Sequence, residues 1–214
     1  MRTDVWQKLH TELTPGVQPD QETYAVPFGD HQILLPIRQL PDGRGVAPLI
    51  VNQASFPVLD ALADALTERL KLHEPDIIVG VPTLGLTLAE QVARRLGHPR
   101  MVPLGTSRKF WYDDALSVDL KSITTPGGGK RLYVDPRMRP LLTGRVALID
   151  DVLSTGASIA ATLRLLQLID VTPVAIGAVL DGDTVRGVAH VVATPGIAAA
   201  ITAMMSTRSD APSR

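Results

Sequence analysis

Residues Val146 to Ser158 constrain what this chain can fold into more than any other stretch. Val146 to Ile149 is an unbroken apolar run, which fits a strand covered on both faces rather than one with a wet side. Asp150 and Asp151 follow. A short loop of small and hydroxyl residues with one glycine comes next, and Ile159, Leu163 and Leu166 then recur at helical spacing towards Ile169. A strand that passes through acids into such a loop and then into a helix gathers several backbone N–H groups at one point. The positive end of the helix dipole falls at the same point, so the loop suits a phosphate. The carboxylates suit the rest of such a ligand, because their oxygens bind sugar hydroxyls and hard Mg²⁺. A sheet whose strand simply ends in solvated aspartates is the plainer alternative. One acid there would be ordinary, whereas a pair beside a hydroxyl-rich loop argues against it.

The alternation continues on either side. Asp76 to Val81, Met101 to Leu104, Arg145 to Asp150 and Pro173 to Leu180 read as strands. Ser55 to about Leu72, Leu86 to Leu96 and Gly156 to Ile169 read as helices, the first with Leu59, Leu62, Leu66 and Leu70 on one stripe, Ser55 as N-cap and Pro57 in the first turn. The expected fold is α/β, a doubly wound and mainly parallel sheet flanked by helices. Ligands of such sheets bind beyond the carboxyl ends of the strands, where Asp150 and the Pro82-Thr83 turn lie. Before this core, Asp4 to Leu13 reads as a short helix. Tyr24 to Phe28 and Gln32 to Leu40 read as a hairpin around Gly29-Asp30, Pro41-Asp42-Gly43 as a turn and Ala47 to Val51 as a third strand. The polar tail from Ser206 is expected to be disordered.

The segment Ser107 to Arg139 interrupts the alternation. It holds seven of the chain's 21 Lys and Arg (Arg108, Lys109, Lys121, Lys130, Arg131, Arg137, Arg139), together with Phe110, Trp111, Tyr112 and Tyr133. Thr125-Pro126-Gly127-Gly128-Gly129 is turn chemistry, and long insertions of this kind in compact domains are usually lids or disordered.

The stretch Val146 to Ser158 closely resembles the phosphoribosyl pyrophosphate (PRPP) binding signature of the type I phosphoribosyltransferases. The resemblance implies that Asp150 and Asp151 hold the ribose hydroxyls, directly or through Mg²⁺, and that Ser154, Thr155, Gly156, Ala157 and Ser158 wrap the 5′-phosphate. Val81-Pro82-Thr83-Leu84-Gly85 resembles the family's pyrophosphate loop, in which Thr83, Leu84 and Gly85 would meet the pyrophosphate, with a non-proline cis peptide expected at Thr83-Leu84. Ser107-Arg108-Lys109 looks like the Arg-Lys pair of the adenine and xanthine members, which implies that Arg108 and Lys109 also reach the pyrophosphate from a flexible lid loop. Phe110-Trp111-Tyr112-Asp113-Asp114 departs from the adenine-enzyme pattern, where a Pro-Gly-Lys segment might stand. The implied protein is a single domain over residues 1–214, with 1–51 as a small hood and 76–180 as the core, working as a homodimer. It would join a purine, adenine or xanthine, to PRPP-Mg²⁺ and release pyrophosphate. The alternative is a PRPP-sensing regulator without catalysis. A third reading, a plain nucleotide-binding protein, leaves the basic segment and the acid pair unexplained.

Composition narrows the partners. A net charge of −1 gives no general attraction to nucleic acid or anionic membrane, and the residues before the hairpin are too few and too little basic for a helix-turn-helix module. The absence of cysteine excludes disulfides and thiolate metal sites. The polar opening Met1-Arg2-Thr3-Asp4 lacks a secretory apolar stretch, so a soluble cytoplasmic chain is expected. The five histidines show no metal spacing.

Overall fold

The computed structural model describes residues 3–39, 43, 45–120, 130–153, 156–181 and 190–193. In chain order the strands and helices are β1 (Leu9–His10), β2 (Gly16–Val17), β3 (Thr23–Phe28), β4 (His31–Pro36), β5 (Arg38–Gln39), β6 (Gly45–Val46), α1 (Phe56–Leu70), β7 (Ile77–Gly80), α2 (Gly85–Arg95), β8 (Val102–Pro103), β9 (Ser117–Leu120), β10 (Lys130–Tyr133), β11 (Val146–Leu153), α3 (Ala157–Gln167), β12 (Ala175–Asp181) and β13 (His190–Ala193).

The central sheet runs β13-β12-β11-β7-β8. Its β12, β11, β7 and β8 are parallel, and β13 is an antiparallel edge. Side chains of these strands alternate between two apolar cores, as the pleat requires. Ile78, Ala147, Ile149, Ala175 and Val179 face α1, α2 and a four-stranded antiparallel sheet ordered β1-β4-β3-β2. Val79, Val146, Leu148, Ile176 and Ala178 face α3 and the ribbon of β9 with β10, which adds Leu116 and Leu132. Both cores are apolar, so both faces of the sheet are dry.

Helix α1 forms as its pattern predicts. Leu59, Leu62, Leu66 and Leu70 are buried, and the Ser55 Oγ accepts from Val58 N at 3.5 Å while donating to Gln7 O at 2.8 Å. Gly177 lies under this helix, where an added Cβ would touch Leu66 and Leu70 at 3.4 Å and crowd Ile149 Cδ1 of the neighbouring strand at 3.0 Å. Arg95 of α2 reaches back to Asp60 and Asp64 of α1 and ties the two helices together.

Four expectations are corrected. Asp4 to Leu13 is not a helix: Trp6 has φ 62° and donates its backbone N–H to Leu34 O at 3.0 Å, and Leu9–His10 pairs with β4. A sheet partner more than twenty residues away overrides the local helix pattern. The Gln32 to Leu40 strand breaks after Pro36, and Arg38–Gln39 pairs instead with Gly45–Val46. Ala47 to Val51 joins no ladder, and a 3₁₀ turn spans Val51–Gln53. Strand β11 runs on to Leu153 because β12 continues beside it, pairing Val152 with Leu180 and Leu153 with Asp181. Asp151, expected just beyond the strand, therefore lies within it beside Asp150. Lys121, Thr125 to Gly129, Ser154, Thr155 and the tail from Ser206 lie outside the described residues. No helix among the described residues is long and apolar enough to cross a membrane.

Candidate active site

The connections of β7 and β11 leave the sheet in opposite directions. From β7 the chain passes through α2 to β8 on one side, and from β11 through α3 to β12 on the other, with α2 and α3 on opposite faces. Adjacent parallel strands whose helices part in this way leave a crevice at their carboxyl ends, the usual ligand site of open α/β sheets. Asp150 and Asp151 stand on one wall of that crevice and the Val81–Gly85 turn on the other.

The two walls touch. A Cβ added to Gly85 would lie 2.8 Å from Asp150 Cα, 2.9 Å from Ile149 O and 3.0 Å from Asp150 Oδ1. Glycine is thus what allows the start of α2 to rest on the acid strand. Among the described residues no side chain caps the start of α2, whose N-cap is Leu84. Its first N–H groups and positive dipole end are available to an anion held there. The non-proline cis peptide of this turn is at Pro82–Thr83, one bond before the expected Thr83–Leu84.

Asp150 is only 6% exposed, and its Oδ1 accepts from Asp151 N at 2.9 Å. Burial first, then the neighbouring Asp151 charge, holds its carboxyl well above the ordinary value of 3.8. Burial also raises the half-buried Asp151, against hydrogen bonds from Asp150 and from its own and the Val152 amide that pull the other way. Two carboxyls of this kind titrate as a pair. Past the strand, Gly156 sits at φ 73° and ψ −2° and opens α3, with Ala157 and Ser158 in its first turn.

Arg108 and Lys109 lie after β8, at the same strand-end edge. Arg108 grips Asp114 through Nε at 2.9 Å and Nη2 at 3.3 Å. Lys109 is exposed, and its carbonyl accepts from Tyr112 N. Arg131 is turned into the ribbon, donating to Ser117 Oγ at 2.7 Å and facing Asp119 at 3.4 Å. The sequence reading missed Asp114 and Asp135, which anchor Arg108 and Trp111. Acids interleaved with bases and aromatics in this segment were the available signal. A cavity of about 440 Å³ opens in the N-terminal sheet, lined by Thr23, Pro36, Ile37 and Arg38 among others, and by neither the acids nor the turn.

Among the described residues no cluster of three or more His, Cys, Asp or Glu could enclose a metal ion. The acid pair offers hard oxygen ligands alone. That fits Mg²⁺ carried in by a polyphosphate substrate, which needs only one or two protein carboxylates.

The acid pair lies in β11, the uncapped start of α2 follows β7, and Gly156 at the start of α3 follows β11. The phosphoribosyl transferase domain family matches residues 52–196, and the chain belongs to that family, as a type I member resembling the purine phosphoribosyltransferases. It is 30% identical over 140 residues to the adenine phosphoribosyltransferase of Roseiflexus sp. (strain RS-1), covering 62% of this chain and 76% of that one. It is also 30% identical over 135 residues to the transcriptional regulator GfcR of Halobacterium salinarum, covering 63% of this chain and 56% of that one. In three dimensions it is similar to the adenine phosphoribosyltransferase of Thermoanaerobacter pseudethanolicus, with a TM-score of 0.54 and 23% identity over 68% of this chain and 83% of that one. That likeness shows the fold.

Proposed function

We propose that the chain transfers the phosphoribosyl group of PRPP-Mg²⁺ to a purine, adenine or xanthine, with release of pyrophosphate. The observation that carries this reading is the direct contact of Gly85 with Asp150, which joins a pyrophosphate-type turn to a ribose-type acid pair in one crevice. In the reaction the bond from C1′ to the pyrophosphate oxygen breaks, a bond from C1′ to a ring nitrogen forms, and the proton of that ring nitrogen leaves to water or to the released pyrophosphate. The centre between them passes through positive, oxocarbenium-like character. Asp150 and Asp151 orient the ribose hydroxyls. The Thr83 to Gly85 turn and the α2 dipole hold the departing diphosphate, and Gly156 to Ser158, with Ser154 and Thr155, hold the 5′-phosphate. Lys109 and Arg108 supply positive charge at the leaving group. Asp150 and Asp151 would hold the Mg²⁺ that accompanies PRPP, and the ion would lower the charge the leaving group must carry.

A second reading is a PRPP-responsive regulator, favoured by the 30% identity to a protein described as a transcriptional regulator. One assay separates the two. Pyrophosphate release is measured with PRPP-Mg²⁺ and a panel of adenine, xanthine, hypoxanthine, guanine and uracil. Turnover with one purine establishes the transferase. Tight PRPP binding without turnover on any base establishes the regulator.

A further inference from the structure

The cavity of about 440 Å³ in the N-terminal sheet holds polar groups that nothing in the fold employs. Its floor is apolar, with Val5 and Pro36 buried and Ile37 half-buried. Glu22 and Arg38 line it too, and both are exposed. The ladder of β3 with β4 ends at Thr23↔Pro36, and Ile37 N then donates to Glu22 O at 2.8 Å. This pairing brings Glu22 and Arg38, of opposite charge, to the same end of the sheet. Among the described residues neither side chain has a hydrogen-bond or ion-pair partner, each other included, and the Gln21 and Gln39 amides of the same lining have none either. The backbone beside the cavity is held in rare geometry. Trp6, next to Val5, has φ 62°, and Gln21 has φ 58°. Side chains other than glycine seldom adopt this region, and such positions cluster at ligand clamps.

We propose that this cavity binds a free α-amino acid with an apolar side chain. An acid and a base that line one hollow without touching leave room between them for a molecule that carries the complement of each. The ligand's carboxylate meets the Arg38 guanidinium, whose planar fork matches two oxygens. Its ammonium meets Glu22, its side chain lies on the apolar floor, and the two amides stand at the mouth. A purely apolar ligand would cover both charges without pairing either. A nucleotide would bring several negative charges to a lining with one cation. The inference goes beyond the transferase reading and does not depend on it, because neither the acid pair nor the Val81–Gly85 turn lines this cavity.

The test titrates leucine, leucinamide, isocaproate and adenine into the full chain by calorimetry at two temperatures, without PRPP. Leucine should bind with a Kd of about 0.1 to 1 mM. Leucinamide lacks the carboxylate and isocaproate lacks the ammonium, so each should bind at least about ten-fold more weakly. Arg38→Ala and Glu22→Gln should each weaken leucine by about ten-fold or more. Both residues are exposed and without side-chain partners among the described residues, so neither variant should shift the Tm of the free chain. A further comparison separates recognition from general damage. Leucinamide binding should not change in Arg38→Ala, because the group that Arg38 grips is already gone. No saturable leucine binding overturns the proposal, as does leucine affinity that is unchanged in both variants. Leucinamide binding as tightly as leucine overturns it too. Adenine binding that is lost in Arg38→Ala also overturns it, and makes the cavity a seat for the base. Failure of every base to release pyrophosphate would strike the transferase reading and leave these titrations as they stand.

Discussion

Asp150 carries the conflict between stability and use at the scale of single residues. Its pKa in the fold lies above the ordinary 3.8, so the folded chain binds a proton that the unfolded chain gives up. Stability is therefore lost as pH climbs from the ordinary carboxylate range through the raised pKa. Asp150→Asn should remove that loss and stabilise the fold by about 1 kcal/mol at pH 7, with the gain vanishing near pH 4 in denaturant titrations. The same variant, and Asp151→Asn, should lower kcat/KM for PRPP on the order of 100-fold if the acids orient ribose and Mg²⁺. A double variant with near-native turnover would refute the assignment. Because only the ionised pair binds cation and diol well, the affinity for PRPP-Mg²⁺ should rise with pH through the pair's titration, which calorimetry at several pH values can follow. Gly85→Ala tests the contact between the walls. Its Cβ would meet backbone at 2.8 and 2.9 Å, where nothing can swing aside, so about 1–3 kcal/mol of stability should go. The acid pair was legible in the sequence because adjacency in the chain was the whole signal. The Gly85 contact was not, since it is made between two elements more than sixty residues apart.

Among the elements, the helices were the most legible. Leu59, Leu62, Leu66 and Leu70 declare a stripe without reference to anything else in the chain, and each helix begins and ends within two residues of its expected bounds. The N-terminal segment failed for the opposite reason. Trp6 and Leu9 are held by a strand around residue 33, and no local pattern records that partner. The ribbon of β9 and β10 was likewise hidden, because its apolar residues Leu116 and Leu132 sit in a charged, glycine-containing stretch that reads as loop. At the start of α3, Gly156 holds φ 73° with no atom of the described residues within 4 Å of where a Cβ would be. Gly156→Val should thus be costly through the backbone rather than through a clash, by about 1–3 kcal/mol of local strain. That strain should appear as a raised PRPP KM with a smaller change in kcat, because the phosphate held there does not react. An unaltered PRPP KM would count against this loop as the phosphate site.

Over the whole molecule, the sheet separates two cores that were visible in the sequence only as strands apolar on every residue. Which helix covers which face came from the order β13-β12-β11-β7-β8, and order is a property of pairing rather than of composition. The ribbon has a consequence for chain continuity. Strand β9 belongs to the polypeptide before residue 121 and β10 to that after residue 129, yet they pair from Lys130↔Leu120 to Tyr133↔Ser117. Strand β11, from the later part, is bonded to β7 from the earlier part. Cutting the chain between Leu120 and Lys130 therefore severs one covalent link and leaves a ladder, a sheet interface and a shared apolar core to hold the pieces. Expressed as two polypeptides, residues 1–120 and 130–214 should each be inert alone and should recover PRPP binding by complementation when mixed, with the crevice assembled across the join.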